Sequence, residues 1–140
     1  MTIVTPPCSI CGGYPAAHAT FRAVMVIVIG MSVQSRAGWF CRDCGITTFR
    51  EQTKATLVAG WWGLPAVATP IFLLINISER DKIERLPPPR FLPTPPEGAG
   101  PRYGHPLPPA TPVRRSPAIF IPIVLIGLVL FLCKGPGLLF

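Results

Sequence analysis

The stretches Cys8-Ser9-Ile10-Cys11-Gly12 and Cys41-Arg42-Asp43-Cys44-Gly45 both follow the pattern Cys-x-x-Cys-Gly within a chain of 140 residues. The two-residue gap lets both thiolates of a pair face one metal ion, and the following glycine tolerates a tight turn. Two pairs complete a tetrahedral site with no open position. Zn²⁺ suits four thiolates and has no redox chemistry, so the pattern predicts one structural zinc held by Cys8, Cys11, Cys41 and Cys44.

Two other uses of these cysteines stay open, which are iron in the same cage and a thiol switch. A thioredoxin-like redox site needs a strand before the motif and a helix after it, and the sequence shows neither pattern. No basic residue occurs from Met1 to Pro7, so we expect no secretory signal before the first pair. We therefore expect cytosolic, reduced thiols, which hold metal more often than they form disulfides. The fifth cysteine, Cys133, stands alone in an apolar run.

The 29 residues between the two pairs contain the β-branched run Val24 to Ile29, which Gly30 closes. This run is too short for a membrane helix and favours a buried strand. The fold class predicted from these features is a small β zinc ribbon with a four-cysteine site, followed by two membrane-embedded helical segments joined by a Pro-rich linker. The predicted boundaries are 1–54 for the zinc-ribbon domain, 55–78 for the first membrane segment, 79–117 for the linker, 118–133 for the second membrane segment and 134–140 for a short tail.

The first membrane segment rests on Leu57 to Ile77, which gives 21 residues without a charge. As a helix this run would be about 31 Å long, enough to cross a bilayer core of about 30 Å. Trp61 and Trp62 lie at one end, where indole rings favour the headgroup level. Pro65 and Pro70 would kink the helix or open it into a hairpin that re-enters the same face. A helix buried inside a globular domain is the alternative.

The second membrane segment is Ala118 to Cys133, sixteen uncharged residues that give about 24 Å of helix, near the lower limit for a span. Between the two runs, Leu86 to Pro117 has twelve prolines among 32 residues, including Pro95-Pro96. Such a stretch predicts an extended or disordered stiff linker. Together these features predict an integral protein of the cell membrane whose zinc ribbon faces the cytoplasm.

The sequence predicts only a broad class of function. Thirteen Lys and Arg against six Asp and Glu give a net charge of +7, which suits anionic lipid or nucleic acid. Two histidines, His18 and His105, and few acids offer no catalytic set, so we expect no enzyme. The expected function is a non-catalytic interaction or regulatory module at the membrane. Its expected partners are a bilayer of anionic lipid and an unidentified membrane protein, with a homo-oligomer or a larger membrane complex as further possibilities.

Two other functions are weighed against that expectation. One is nucleic-acid binding by a membrane-tethered ribbon, with nucleic acid the less favoured partner because few basic residues lie in the ribbon. Its candidate residues are Arg36, Trp39, Phe40 and Arg42. The other is a toxin-like, membrane-active protein that acts through its spans, which a polar pore-lining stripe would favour. The sequence has no such stripe.

Four stretches carry a resemblance to a known group: Phe40-Cys41-Arg42-Asp43-Cys44-Gly45, Gly60-Trp61-Trp62-Gly63, Leu74-Ile75-Asn76 and Arg85-Leu86-Pro87-Pro88-Pro89. Over residues 8–90 the chain resembles small actinobacterial zinc-ribbon membrane proteins of uncertain function, some of which are loosely labelled toxin components of toxin–antitoxin systems. The resemblance implies the same layout of ribbon and span, and no mechanism. The layout is also distantly similar to LITAF-type domains, in which two cysteine knuckles bracket an apolar segment that dips into the membrane. The apolar segment between the knuckles is shorter here.

Overall fold

The computed structural model describes residues 6–91 and 103–134. Its regular elements are β1 (Ala17–Ile27), β2 (Gly30–Phe40), α1 (Arg42–Ala59), α2 (Thr69–Glu84) and α3 (Phe120–Cys133). Short 3-10 helices cover Leu64–Ala68, Val113–Arg115 and Pro117–Ile119. The part of the predicted linker that contains Pro95-Pro96, and the predicted tail beyond residue 134, lie outside the described residues.

The two strands form an antiparallel hairpin whose register runs from the pair Ala17 and Phe40 to the pair Ile27 and Gly30. Of the buried strand predicted at Val24 to Ile29, the part up to Ile27 forms the far end of β1, which begins much earlier in the chain. Val28 and Ile29 lie in the turn and are exposed, so the prediction of a buried strand is wrong for them. Phe21 and Val24 of β1 are completely buried, whereas β2 is exposed along most of its length. The hairpin therefore faces the core mainly through β1.

Helices α1 and α2 pack against each other and against β1, and their side chains cover the outer edge of that strand. Three backbone N–H groups of β1 donate to helix side chains: Thr20 to Glu79 Oε2 (3.4 Å), Arg22 to Asn76 Oδ1 (2.8 Å) and Val24 to Thr56 Oγ1 (3.0 Å). The Asn76 amide also donates to the Arg22 carbonyl at 2.6 Å. Since unpaired strand edges attract other strands, these bonds close one edge of the sheet without a third strand.

The run Leu57 to Ile77 does not form one helix. It comprises the end of α1, a turn from Gly60 to Gly63, the 3-10 helix and the first half of α2. Pro65 and Pro70 each lie in the first turn of a new helix, where a missing N–H costs nothing. The prolines therefore mark where two helical segments begin, and the prediction of a first membrane-embedded helix here is wrong.

The second apolar run forms α3, whose 14 residues give about 21 Å of helix. Across the two described ranges, none of the helices combines the length and the apolarity that a membrane crossing needs. The prediction of two membrane-embedded helices, and of the integral cell-membrane localisation that rested on them, is contradicted by this finding. A run of uncharged residues does not show where its helix begins and ends, and a crossing needs about 20 helical residues.

Part of the Pro-rich linker packs along α1, and residues 103–112 are named the strap here. Thr47 Oγ1 donates to the Pro108 carbonyl at 3.2 Å, and one turn later Arg50 donates to the Ala110 carbonyl at 2.6 Å. Lys54 then donates to the Thr111 hydroxyl. Because positions 47, 50 and 54 recur at helical spacing, one face of α1 holds the strap along its length.

We expect Asn76→Ala to lower the free energy of unfolding by about 2 kcal/mol, because it leaves the part-buried N–H and C=O of Arg22 without the Asn76 side chain as partner. Ser78→Ala, at an exposed position of the same helix, is the matched control and should change stability little. Urea denaturation of the metal-loaded protein measures both. Equal stabilities of the two variants would contradict the edge-covering role of Asn76.

Candidate metal centre

The first cysteine pair lies in a tight turn before β1. The Cys8 N–H donates to the Gly13 carbonyl at 3.1 Å, and the Gly12 N–H donates to the Cys8 carbonyl at 2.9 Å. Gly12 has a φ of 71°, and the Tyr103 ring occupies the space that a Cβ atom there would need. Only glycine meets both conditions, so the predicted turn role of this glycine is confirmed.

Ser9 attaches this turn to the end of β2. Its N–H donates to the Trp39 carbonyl at 2.8 Å, and its hydroxyl accepts from the Trp39 N–H at 3.1 Å. Since Trp39 lies two residues before Cys41, the first pair is held beside the point where the chain enters the second.

The second pair lies at the start of α1, with Cys41 as its N-cap residue and Cys44 in its first turn. This Cys-x-x-Cys therefore has a strand before it and a helix after it, contrary to what we inferred from the sequence. The partial positive charge at the helix N-terminus favours thiolates. Gly45 is helical, and a Cβ atom there would lie 2.5 Å from Ile83 Cγ2, so its small size serves helix packing and not a turn.

The four cysteines form one buried cluster. Their Sγ atoms all lie within 4.8 Å of one another, and Cys11 Sγ is 3.5 Å from Cys41 Sγ. Four bonds of about 2.3 Å to a tetrahedral ion would place the sulfur atoms about 3.8 Å apart. All four thiols are free, at separations longer than a disulfide bond. The cluster thus has the donor set and the dimensions of a four-thiolate metal site.

The thiols also change one another's acidity. Hydrogen bonds from Cys41 and then Cys44 hold the pKa of Cys8 well below its usual range. Hydrogen bonds with Cys41 and Cys8, together with burial, raise the pKa of Cys44. Cys44 acts to lower the pKa of Cys41, but Cys8 and burial outweigh it and raise that pKa to about 12. Burial also raises the pKa of Cys11. Because one thiolate opposes the ionisation of the others, a cation is needed to hold four thiolates here.

Sequence reasoning missed the contribution of the strap. The Leu107 N–H donates to Cys44 Sγ at 3.4 Å, and the Gly104 N–H donates to the Cys11 carbonyl at 2.9 Å. Such N–H···S bonds favour thiolate ligands. Both donors are main-chain N–H groups about sixty residues from the second pair. Nearly every residue type has such a group, so the sequence does not show which residue will donate.

The other candidate residues lie outside the cluster. His18 is exposed on β1 and meets the Trp39 ring edge-on at a centroid distance of 5.7 Å. His105 is exposed in the strap, and Cys133 is exposed on α3. Of the four residues considered for nucleic acid, Phe40 is 5% exposed and belongs to the core, so it is not available for stacking on bases.

We expect Cys41→Ser to weaken metal binding strongly and to unfold the segment around it, because a structural zinc supplies about 10 kcal/mol or more to folding. Cys133→Ser removes the exposed cysteine outside the cluster and should bind metal like the wild type. Elemental analysis and the sulfur-to-metal absorption of the cobalt-loaded protein measure this. Equal cobalt spectra for the two variants would exclude Cys41 as a ligand.

We expect Gly45→Ala to destabilise the metal-loaded protein by about 1–3 kcal/mol, because the new methyl group meets Ile83 in a packed core. Gly127→Ala is the control, since a Cβ atom at Gly127 meets nothing within 4 Å, and alanine there should stabilise α3 slightly. Denaturation midpoints compare the two. A Gly45→Ala protein as stable as wild type would show that Ile83 moves aside freely.

Comparison with known proteins finds no protein-family model, no curated protein and no solved structure that matches this chain. The actinobacterial and LITAF-type resemblances stay predictions.

Proposed function

We propose that this chain is a non-catalytic interaction module, held in its fold by one structural Zn²⁺ on Cys8, Cys11, Cys41 and Cys44. The observation that carries the proposal is the burial of the cluster inside the hydrophobic core. Cys11, Cys41 and Cys44 are 0% exposed, and the buried residues packed with the cluster include Phe21, Phe40, Phe49 and Ile83. A metal at this position would join the hairpin to α1 and α2.

Two features support a structural and not a catalytic metal. Four sulfur donors fill a tetrahedral ion, so no position stays open for water or substrate. The burial of the thiols also keeps a substrate from the metal. Zinc fits because it prefers this closed geometry, whereas iron in the same cage would be coloured and redox-active.

The interaction is assigned to α3. None of its residues is buried, and large apolar side chains are exposed along its length, such as Val124 at 64% and Phe131 at 77%. A helix that is apolar all round is normally buried by other atoms. At about 21 Å this helix is shorter than a bilayer core of about 30 Å, so a protein interface suits it better than a crossing. A second copy of the chain offers the same apolar helix, which makes a symmetric dimer the first expected partner.

The zinc arm of this proposal is tested on the purified full chain. We expect close to one zinc per chain, no visible absorption, and unfolding by a strong chelator, because metal binding and folding are linked. Visible absorption that disappears on reduction would indicate iron. A metal-free wild type with the same protease resistance as the loaded protein would reject the structural role.

The interaction arm is tested by sedimentation of the metal-loaded protein. We expect the wild type to self-associate, and Phe131→Ser to lower the association constant about tenfold or more, as loss of a buried aromatic anchor does. Val67→Ser is the control, because Val67 is 85% exposed outside α3. A monomeric wild type, or equal effects of the two substitutions, would reject the docking role of α3. Flotation with anionic vesicles in parallel tests lipid as the partner instead.

A further inference from the structure

A cavity of about 440 Å³ lies between α1, α2 and the chain that leads from the strap into α3. Its lining residues come from all three: Phe49, Arg50, Thr53 and Leu57 from α1, Leu73, Ile77 and Arg80 from α2, and Pro112, Val113, Arg114 and Ile119 from the third. This volume falls in the range of small-molecule sites, about 300–1,000 Å³.

The character of the lining is apolar with a positive rim. Side chains such as Leu57, Leu73 and Ile77 supply most of the wall, and no acidic residue is part of it. All three charged groups at the cavity are guanidinium groups. A neutral apolar ligand would not pair with the guanidinium groups. A ligand with an anionic head and an apolar chain would pair with these groups through its head and pack against the apolar wall through its chain.

The three arginines differ in the interactions that they already make within the protein. Arg80 pairs with Glu84 at 2.6 Å and lies 5.6 Å from the centre of the Phe49 ring. Arg50 donates to the Ala110 carbonyl at 2.6 Å and keeps further N–H donors. Arg114 is exposed, and no acidic side chain within the described residues forms an ion pair with it. Arg114 is therefore the cation best placed to receive an anion from solution.

We propose that this cavity binds a single-chain amphiphile with an anionic head, such as a fatty-acid carboxylate. The acyl chain lies along Leu57, Leu73 and Ile77. The carboxylate pairs with Arg114 and Arg50. This site is separate from the metal and from α3 docking, so metal content and self-association report on the earlier proposal independently.

The test is calorimetric titration of the metal-loaded full chain with dodecanoate below its micelle concentration, and with dodecanol as the neutral match. We expect saturable 1:1 binding of dodecanoate and much weaker binding of dodecanol. Arg114→Gln should lower dodecanoate affinity about tenfold, the effect of losing a charge-assisted hydrogen bond. Arg115→Gln is the matched control, since this neighbouring exposed arginine does not line the cavity and should change affinity less than about twofold.

A second variant separates the cavity from adsorption on the exposed apolar helix. Leu73→Ala removes apolar side-chain atoms that line the cavity, and we expect it to lower dodecanoate affinity about fivefold. Equal affinities for dodecanoate and dodecanol, or equal effects of Arg114→Gln and Arg115→Gln, would overturn the proposal. So would binding to phosphatidylglycerol vesicles without binding of monomeric dodecanoate, because that result would assign the arginines to a lipid headgroup. Failure to bind dodecanoate at all would also reject it.

Discussion

Four thiols packed together in the core are the constraint on which the rest of this fold depends, because all four can ionise only beside a cation. The sulfurs lie within 4.8 Å of one another in the same cluster as Phe21, Phe40, Phe49 and Ile83. A two-stranded hairpin with two helices buries little apolar surface, and chains of this kind depend on a metal or another cross-link. The same sulfur atoms belong to the core and are placed to act as ligands, and without a cation the raised pKa values of Cys11, Cys41 and Cys44 favour their neutral thiols.

The four-cysteine cluster could be predicted from sequence, because Cys-x-x-Cys-Gly states both donor type and spacing. The bounds of the helices and their packing could not be predicted, and Pro65, Pro70 and Asn76 show why. A charge-free window treats the two prolines as interruptions of one helix, whereas they begin two separate helical segments. Asn76 is a single polar residue in an apolar run, and its bonds to Arg22 exist only once α2 lies beside β1. Hydropathy reports how apolar a run is and not where the chain reverses.

The two glycines behind the cysteine pairs show the same limit on a smaller scale. Gly12 and Gly45 occupy equivalent places in the motif, and the same role in a tight turn was predicted for both. Gly12 has that role, with positive φ and the Tyr103 ring against it. Gly45 lies inside α1, and its missing side chain admits Ile83 from α2. A repeated motif thus identifies the cysteines that cluster, while tertiary neighbours decide what its other residues do.

The strap connects the cysteine cluster to the side of α1 and to the cavity wall. Near its start, Gly104 and Leu107 donate to the two cysteine pairs. Further along, Ala110 is held by Arg50, and Pro112 enters the wall of the arginine-rimmed cavity. Because the same short segment is bonded to the turn of the first cysteine pair and to α1, it ties that turn to the helix that carries the second pair.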